Sequence, residues 1–321
     1  MRALLLFSVI ALALPAHAWD KRGHAIVCQT AAYLAAKEPK GEFLKNHSFD
    51  LGYYCNVPDL VWKKPETYAL EANNHFMDME IFERGLKDTK VENPFAMDRL
   101  AFNAAFPSID DKAGRAWWRV RELNDALTQI TKKLTSEELT KDARHSAQAD
   151  WLVHAGAIGH YIGDLSQPLH VTENYDGQMS EQKGIHSYFE KNVVDEAYFG
   201  KGDTLEGEVM KAAEALYAKN RSSLAKKDML GLLQALSEDS NKALPAVLKS
   251  DKKVGREKAA QAVKEYRKQL VTRMAAGSMY LAEIYKRQLG WDYNGDRFFN
   301  FVTSPAFIAP PQAPASPTPA P

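Results

Sequence analysis

Eleven consecutive residues, 160–170, carry imidazole and carboxylate side chains at spacings that suit a metal ion. His160 and Asp164 are four residues apart, so a helix would place both on one face, one turn from each other. Pro168 cannot continue such a helix, and the chain must turn there. The turn allows His170 to swing back toward the same point, so three possible ligands meet within one short stretch.

A second pair, His186 and Glu190, repeats the four-residue spacing, and it begins sixteen residues after His170. Imidazole nitrogen and carboxylate oxygen are the ligands that zinc prefers when no thiolate is offered. A lone histidine on an apolar face, such as His154, is usually a core residue that makes a hydrogen bond. Two pairs with a turn histidine between them are hard to explain as packing, and they predict a zinc site.

Residues 1–18 have the pattern of a secretory signal peptide. Arg2 gives a positive start, an apolar run of twelve residues with one serine follows, and residues 16–18 form an A-x-A cleavage site. The run is too short to span a bilayer, and no other candidate span occurs. The sequence therefore predicts an exported protein, periplasmic or secreted, that begins at Trp19 and has no transmembrane segment.

The remaining composition is that of an ordinary globular protein, with 26% charged residues, 45% hydrophobic residues and a net charge of +0. A neutral net charge gives no electrostatic reason for tight binding to long polyanions. The two cysteines, Cys28 and Cys55, allow a single disulfide in an oxidising compartment, and the alternative is two buried free thiols. A bridge would connect the segments that carry His24 and Asp59, and we expect it to form.

Helical periodicity accounts for most of the chain, and we find no period-two strand run, internal repeat or phosphate-loop glycine pattern. Helices are predicted at 23–37, 117–134, 147–164, 183–199, 206–219, 226–248 and 253–288. The segment 147–164 is apolar on almost every face and is expected at the centre, where its glycines permit close approach by neighbours. The prediction is an all-α, monomeric protein with one compact multi-helix domain over 19–303. A disordered Pro/Ala-rich tail is predicted at 304–321.

If a metal cluster forms, further ligands are expected nearer the N-terminus. His24 lies five residues after Trp19, whose released α-amino group and carbonyl oxygen could chelate a metal. Asp59 follows a proline in a loop, and His75 lies in an asparagine-rich loop. Each is unremarkable alone, and a solvated carboxylate is the ordinary expectation for Asp59.

These residues together resemble the S1/P1 nucleases and, more distantly, the zinc-dependent phospholipases C that share their fold. The likeness covers most of the mature chain and is strongest at Trp19-x4-His24, Asp59, His75-Phe76-x-Asp78 and His160-x3-Asp164-x2-Gln167-Pro168-Leu169-His170. Members of that superfamily are helical and hold three zinc ions beside the mature N-terminus. The resemblance therefore implies the same fold and the same cofactor here.

The resemblance also implies which residues hold each ion. One zinc would be held by Asp59, His75, His160 and Asp164. A second would be held by His170, His186 and Glu190. The third would take the amine and carbonyl of Trp19, His24 and the other oxygen of Asp164.

Two departures from the nuclease pattern leave the substrate open. Glu190 stands where the nucleases usually have Asp and the phospholipases have Glu. The segment between His170 and His186 is short and lacks the Gly-Gly-Asn sequence usual in the nucleases. The spacing from Trp19 to His24, in contrast, is that of the nucleases.

The implied chemistry is phosphodiester hydrolysis by a zinc-activated hydroxide, with Asp164 bridging two ions and Asp59 orienting the water or accepting its proton. Phe76 is expected to stack on an unpaired base and Asp78 to accept hydrogen bonds from a base edge, although Phe76 could equally be a core residue. The leading hypothesis is an exported endonuclease for single-stranded DNA and RNA. The alternatives are a phospholipase C that acts on phospholipid, and a secreted zinc-binding protein without catalysis.

Overall fold

The computed structural model describes residues 19–136, 138–199, 204–295 and 305–313. These residues form helices and connecting turns with no β-strand, which confirms the all-α prediction. The α-helices, numbered α1 to α13 in chain order, are Asp20–Ala35, Glu42–Asn46, Ser48–Tyr54, Tyr68–Glu71, Met79–Leu86, Arg99–Ala105, Ala116–Leu134, Lys141–Ser166, Ile185–Ser187, Val194–Phe199, Leu205–Leu224, Met229–Val254 and Ala259–Arg287. The predicted signal peptide, residues 1–18, lies outside the described residues.

Short turns of other helix types occur between the α-helices, several of them next to predicted ligands. Two are π-helical, at Pro58–Trp62 and Tyr188–Val193. Four are 3-10 turns, at Ala72–Asn74, Pro94–Ala96, Asp111–Ala113 and Pro168–His170. In the part of the chain that the structure describes, no helix is long and apolar enough to cross a membrane.

Helix α8 is the centre of the molecule and contacts α1, α3, α7, α12 and α13. Every side chain from Ala155 to Ser166 is buried, which agrees with the apolar character predicted for 147–164. The helix begins earlier than predicted because Thr140 caps it, accepting a hydrogen bond from the Ala143 amide, and its first turns are solvent-exposed. These first turns lack the apolar pattern that identified the rest.

The glycines of α8 allow α1 and α3 to approach closely, as the sequence predicts. A Cβ atom at Gly159 would lie 2.2 Å from Sγ of Cys28, and a Cβ atom at Gly163 would lie 2.7 Å from Nδ1 of His24. Any larger residue at these positions would have to displace α1 from α8. The close contact brings the His24 ring against the ligand-bearing face of α8.

Residues 305–313 form an extended segment that packs on the helical domain, which differs from the disordered tail predicted for 304–321. Nε1 of Trp62 donates to the carbonyl of Pro305 at 3.2 Å, and Nη2 of Arg119 donates to the carbonyl of Ile308 at 2.6 Å. A proline-rich segment builds no core of its own, but its carbonyl oxygens can accept hydrogen bonds from buried donors. Residues 314–321 lie outside the described residues.

Candidate metal centre

One ligand group is built on α8, which places His160 and Asp164 one turn apart with both side chains fully buried. Nε2 of His160 lies 3.4 Å from Oδ2 of Asp164. His75 enters from the loop after a 3-10 turn, with Nδ1 2.9 Å from Nε2 of His160 and 3.1 Å from Oδ2 of Asp164. Asp59 completes the group: its carboxylate oxygens lie 3.7 Å from Nδ1 of His75 and 3.9 Å from Nε2 of His160.

A second group contains His170, His186 and Glu190. The 3-10 turn that follows α8 brings His170 back, and its Nε2 lies 2.8 Å from Nε2 of His186. The π-helical turn presents Glu190, whose Oε2 lies 2.9 Å from Nε2 of His186 and 3.9 Å from Nε2 of His170. The structure therefore brings together the three residues assigned to one site from the sequence.

His24 extends the first group toward α1. Its Nε2 lies 3.3 Å from Oδ1 of Asp164, the carboxylate oxygen that does not face His75, and its ring stacks on His160 with centroids 4.0 Å apart. The two oxygens of Asp164 consequently face different histidines. This is the arrangement that a carboxylate shared by two ions requires.

Trp19 lies next to α8, fully buried, immediately before α1. Its indole Nε1 donates to Oγ of Ser166 at 2.9 Å, and its carbonyl accepts a hydrogen bond from the Gly23 amide at 3.1 Å. The indole contact therefore holds Trp19, the predicted N-terminal residue, against the helix that also carries Asp164.

Three sets of side chains among the described residues could each hold a metal ion. They are His24 with Asp59 and His160, His75 with His160 and Asp164, and His170 with His186 and Glu190. Within each set the ligand atoms lie within 4.8 Å of one another. Ligand nitrogens around a tetrahedral zinc are about 3.3 Å apart, close to the separations seen here.

Hydrogen bonds outside the groups determine which imidazole nitrogen points inward. Nδ1 of His160 donates to the carbonyl of Cys55 at 2.8 Å, and Nδ1 of His170 donates to the carbonyl of His75 at 2.7 Å. Each of these two rings therefore directs the lone pair of Nε2 into its group. The Nε2 atoms of His170 and His186 face each other at 2.8 Å, where two lone pairs repel unless they share a proton. A cation bound between them would remove this repulsion.

Burial keeps two of these histidines neutral, which is the form that binds metal. It lowers the pKa of His160 well below its usual range and the pKa of His186 to about 4. His75 differs: burial and the Lys63 charge lower its pKa, but hydrogen bonds to Asp164 and Glu71 outweigh them and raise it to about 9. A proton on His75 thus balances part of the carboxylate charge that a metal ion would otherwise balance.

Two residues that the sequence reasoning missed complete the surroundings. Oε1 of Glu71, fully buried, lies 3.3 Å from Nε2 of His75, which leaves Nδ1 to face the group. Nζ of Lys63 donates to Oδ1 of Asp59 at 3.2 Å. Although burial opposes it, the Asp59 carboxylate raises the pKa of Lys63, so the ammonium stays charged. Both residues stand four positions from a ligand, but in such short turns that spacing alone does not indicate proximity.

The two predicted substrate residues lie directly after His75. Phe76 is partly exposed. Asp78 is only 4% exposed, and burial together with the charges of Glu80 and Glu173 raises its pKa to about 8. At neutral pH Asp78 is therefore a carboxylic acid, which donates as well as accepts, whereas the sequence predicted an acceptor only.

The disulfide predicted between Cys28 and Cys55 is present, with Cα atoms 6.5 Å apart. Cys28 lies on α1 one turn after His24, and Cys55 directly follows α3, four residues before Asp59. The bridge therefore connects the two segments that bring His24 and Asp59 to α8.

Comparison with known protein families gives a match over most of the chain. The family model described as S1/P1 Nuclease matches residues 19–289, a span that includes every predicted ligand. No curated protein matches the chain. The matched span ends before the packed segment 305–313.

Proposed function

This chain belongs to the S1/P1 nuclease family, whose members are zinc-dependent phosphodiester hydrolases, and from that premise we propose that it is an exported endonuclease for single-stranded DNA and RNA. The observation that carries the proposal is the clustering of the three ligand sets: two of them share His160, and Nδ1 of His170 in the third lies 4.0 Å from Oδ1 of Asp164. Structural zinc sites are usually single and closed, whereas clustered sites with shared carboxylates are typical of phosphoryl chemistry.

Three zinc ions would be held here. Asp59, His75, His160 and Asp164 would bind one; His170, His186 and Glu190 a second; the Trp19 amine and carbonyl, His24 and Asp164 the third. Bound there, zinc would supply Lewis-acid activation of a water molecule and neutralise charge on the phosphate. The signal sequence would be removed before Trp19, because only then is the amine available as a ligand.

The protein's own residues would orient the water and handle its proton. Asp59 is 9% exposed, whereas His160 and Asp164 are fully buried, so Asp59 is the most accessible acid of its group. Its Oδ1 accepts a hydrogen bond from Lys63, and the ammonium favours the ionised carboxylate. Asp59 would therefore hold the attacking water and accept its proton.

Lys63 would also help to bind the anionic substrate. Its ammonium is nearly buried beside the ligand group, so its field is weakly screened there. This local charge, added to that of the metal ions, explains how a chain with a net charge of +0 could bind a phosphodiester without a basic surface. Phe76 would stack on an unpaired base, and Asp78 would hydrogen-bond to the base edge.

A phospholipase C is the second candidate, because large hydrophobic side chains are exposed on the stretch of chain that contains Lys63. Leu60 is 48% exposed and Tyr68 is 46% exposed, and such residues could contact a lipid surface. Glu190, the carboxylate usual in the phospholipase branch, points in the same direction.

The decisive experiment is an activity panel on the purified mature chain with single-stranded DNA, RNA and phosphatidylcholine vesicles. We expect cleavage of both nucleic acids, its loss after treatment with a zinc chelator, and its recovery when zinc is added. Asp164→Asn is the inactive control. Release of phosphocholine without nucleic acid cleavage would identify a phospholipase, and no activity on any substrate would favour a zinc-binding protein without catalysis.

A second experiment addresses the N-terminus. A variant with one extra residue before Trp19 retains every side chain but replaces the amine with an amide. We expect it to bind one zinc fewer and to lose most of its activity. Full zinc content and full activity in this variant would exclude the amine as a ligand.

A further inference from the structure

The segment 305–313 lies outside the span matched by the family, yet it contacts residues that lead directly to metal ligands. We propose that this segment positions Asp59 and His75, and so raises the zinc affinity of the group that they share with His160 and Asp164. The inference depends on the zinc site put forward under the proposed function. It assigns a role to a stretch of chain that the family resemblance does not cover.

The first contact is with Trp62, which ends the π-helical turn Pro58–Trp62 that carries Asp59. The indole is only 1% exposed. Its Nε1 donates to the carbonyl of Pro305 at 3.2 Å, and the Phe307 ring packs edge-on against it with centroids 5.9 Å apart. Since Asp59 and Trp62 belong to a single short turn, an anchored indole restricts the position of the carboxylate.

The second contact is with Arg119 of α7, a fully buried guanidinium. Its Nη2 donates to the carbonyl of Ile308 at 2.6 Å and lies 3.4 Å from Oε2 of Glu71. Its Nε donates to the hydroxyl of Tyr161 at 3.2 Å. The segment thus provides a hydrogen-bond acceptor for the Arg119 guanidinium, which also contacts Glu71. A hydrogen bond to a buried charged group is strongly stabilising.

Glu71 in turn restrains the predicted ligand His75. Its Oε1 lies 3.3 Å from Nε2 of His75 and accepts a hydrogen bond from the Tyr161 hydroxyl. The carboxylate therefore holds the His75 ring in the orientation that presents Nδ1 to the group. Outer partners of this kind typically change metal affinity by about 10–100-fold when they are lost.

Both routes lead to Asp59 and His75, so the effect should be selective. Weakening the segment should loosen the one ion held by those residues. The ion at His170, His186 and Glu190 should stay in place, because its ligands come from the turn after α8, from α9 and from the π-helical turn Tyr188–Val193. A merely structural role would instead lower the stability of the whole domain and the affinity for every ion together.

The test uses the full mature chain with Phe307→Ala, which removes the ring from Trp62. The matched control is Gln312→Ala in the same segment, because Gln312 is exposed and, among the residues that the structure describes, its amide nitrogen donates to the neighbouring carbonyls of Pro310 and Pro311. Bound zinc is titrated against a chromophoric chelator, total zinc is counted by mass spectrometry, and helix content and thermal unfolding are recorded by circular dichroism.

We expect Phe307→Ala to weaken one zinc by roughly tenfold, with the other two unchanged and the helix content preserved. Gln312→Ala should behave as the wild type. Trp62→Phe deletes the hydrogen-bond donor to Pro305 but keeps a ring, and it should lower the affinity for the same ion. This variant replaces Phe307→Ala in the test if Phe307→Ala does not fold.

The inference would be overturned if Phe307→Ala and Trp62→Phe bound every zinc ion as tightly as the wild type does. A uniform loss of affinity for all three ions would overturn it as well. A wild-type chain that binds no zinc would overturn the proposed metal centre itself, and this inference with it. The two failures are therefore distinguishable in the same titration.

Discussion

Nδ1 of His160 donates a hydrogen bond to the carbonyl of Cys55 at 2.8 Å, so a cysteine of the disulfide orients a proposed metal ligand. Because that nitrogen is occupied, Nε2 of His160 is directed at Nδ1 of His75, 2.9 Å away. Cys55 is bonded in turn to Cys28, on the same helix as His24. The covalent bridge and the orientation of two ligands are thus parts of a single local structure.

Removal of the bridge should therefore affect both stability and metal binding. The double substitution Cys28→Ala and Cys55→Ala is expected to lower the free energy of unfolding by about 3–4 kcal/mol, from the entropy of the opened loop. Urea denaturation of the zinc-free chain measures this loss, with the reduced wild type as the matched control. An unchanged midpoint in the variant would contradict the prediction.

The sequence was informative about this site where the ligands lie on regular helix. The spacing of His160 and Asp164 predicted that the two side chains lie together, because helical geometry alone places them on one face. Pro168 predicted the turn that follows. The central position of α8 could likewise be predicted, since its apolar residues occupy almost every face.

Other features depend on contacts that no local pattern records. Trp62 binds a carbonyl 243 residues away and Arg119 one 189 residues away, so the packing of 305–313 could not be inferred from its proline-rich composition. Glu71 and Lys63 lie in short irregular turns, where a four-residue spacing is not by itself evidence of proximity. Tertiary contacts, and not local propensity, give these residues their positions.

The two oxygens of Asp164 face different histidines, and this predicts an unequal response to substitution. Asp164→Asn should lower the metal content by more than one zinc per chain and nearly abolish hydrolysis. Glu190→Asp keeps a carboxylate in a group that holds a single ion, and it should retain substantial activity. Zinc counted per chain and turnover on an oligonucleotide check both, and full metal content in Asp164→Asn would refute the shared-ligand arrangement.

Gly163 provides the space in which the His24 ring lies, so its substitution should act on one ion. A Cβ atom there would lie 2.7 Å from Nδ1 of His24, and Gly163→Ala should displace the ring and lower stability by about 1–3 kcal/mol. One zinc should be lost while the His170 group keeps its ion. Gly207→Ala, on the solvent-facing start of α11, is the control and should retain all its zinc.

Asp78 should make stability depend on pH. Its pKa in the folded chain is about 8, against an ordinary value of 3.8, so between these values the folded state holds a proton that the unfolded chain has lost. Stability therefore falls as pH rises through this window, by up to about 1.4 kcal/mol per pH unit.

Asn cannot ionise, so the advantage of Asp78→Asn over the wild type should grow steadily from about pH 5 to about pH 8. Urea midpoints across that range test this, with Asp88→Asn as an exposed control. A difference that does not change with pH would show that Asp78 is not protonated in the folded protein.

Substitution of Phe76 tests whether the substrate is a single-stranded nucleic acid. If its partly exposed ring stacks on an unpaired base, Phe76→Ala removes an interaction of about 1–3 kcal/mol that is made equally in the bound complex and in the transition state. The KM for a single-stranded oligonucleotide should then rise by roughly 5–150-fold while kcat changes little. The zinc content should be unchanged, because Phe76 is not a ligand. Phe49→Ala, which removes a ring that is 72% exposed on α3, should have wild-type kinetics.

The same interaction predicts a preference for unpaired strands, since a paired base must first leave its duplex, which requires a few kcal/mol. The wild-type chain should therefore cut duplex DNA more slowly than single-stranded DNA. An unchanged KM in Phe76→Ala would place the ring in the core. Cleavage of phosphatidylcholine by a chain inactive on both nucleic acids would reassign the substrate while leaving the proposed zinc ligands in place.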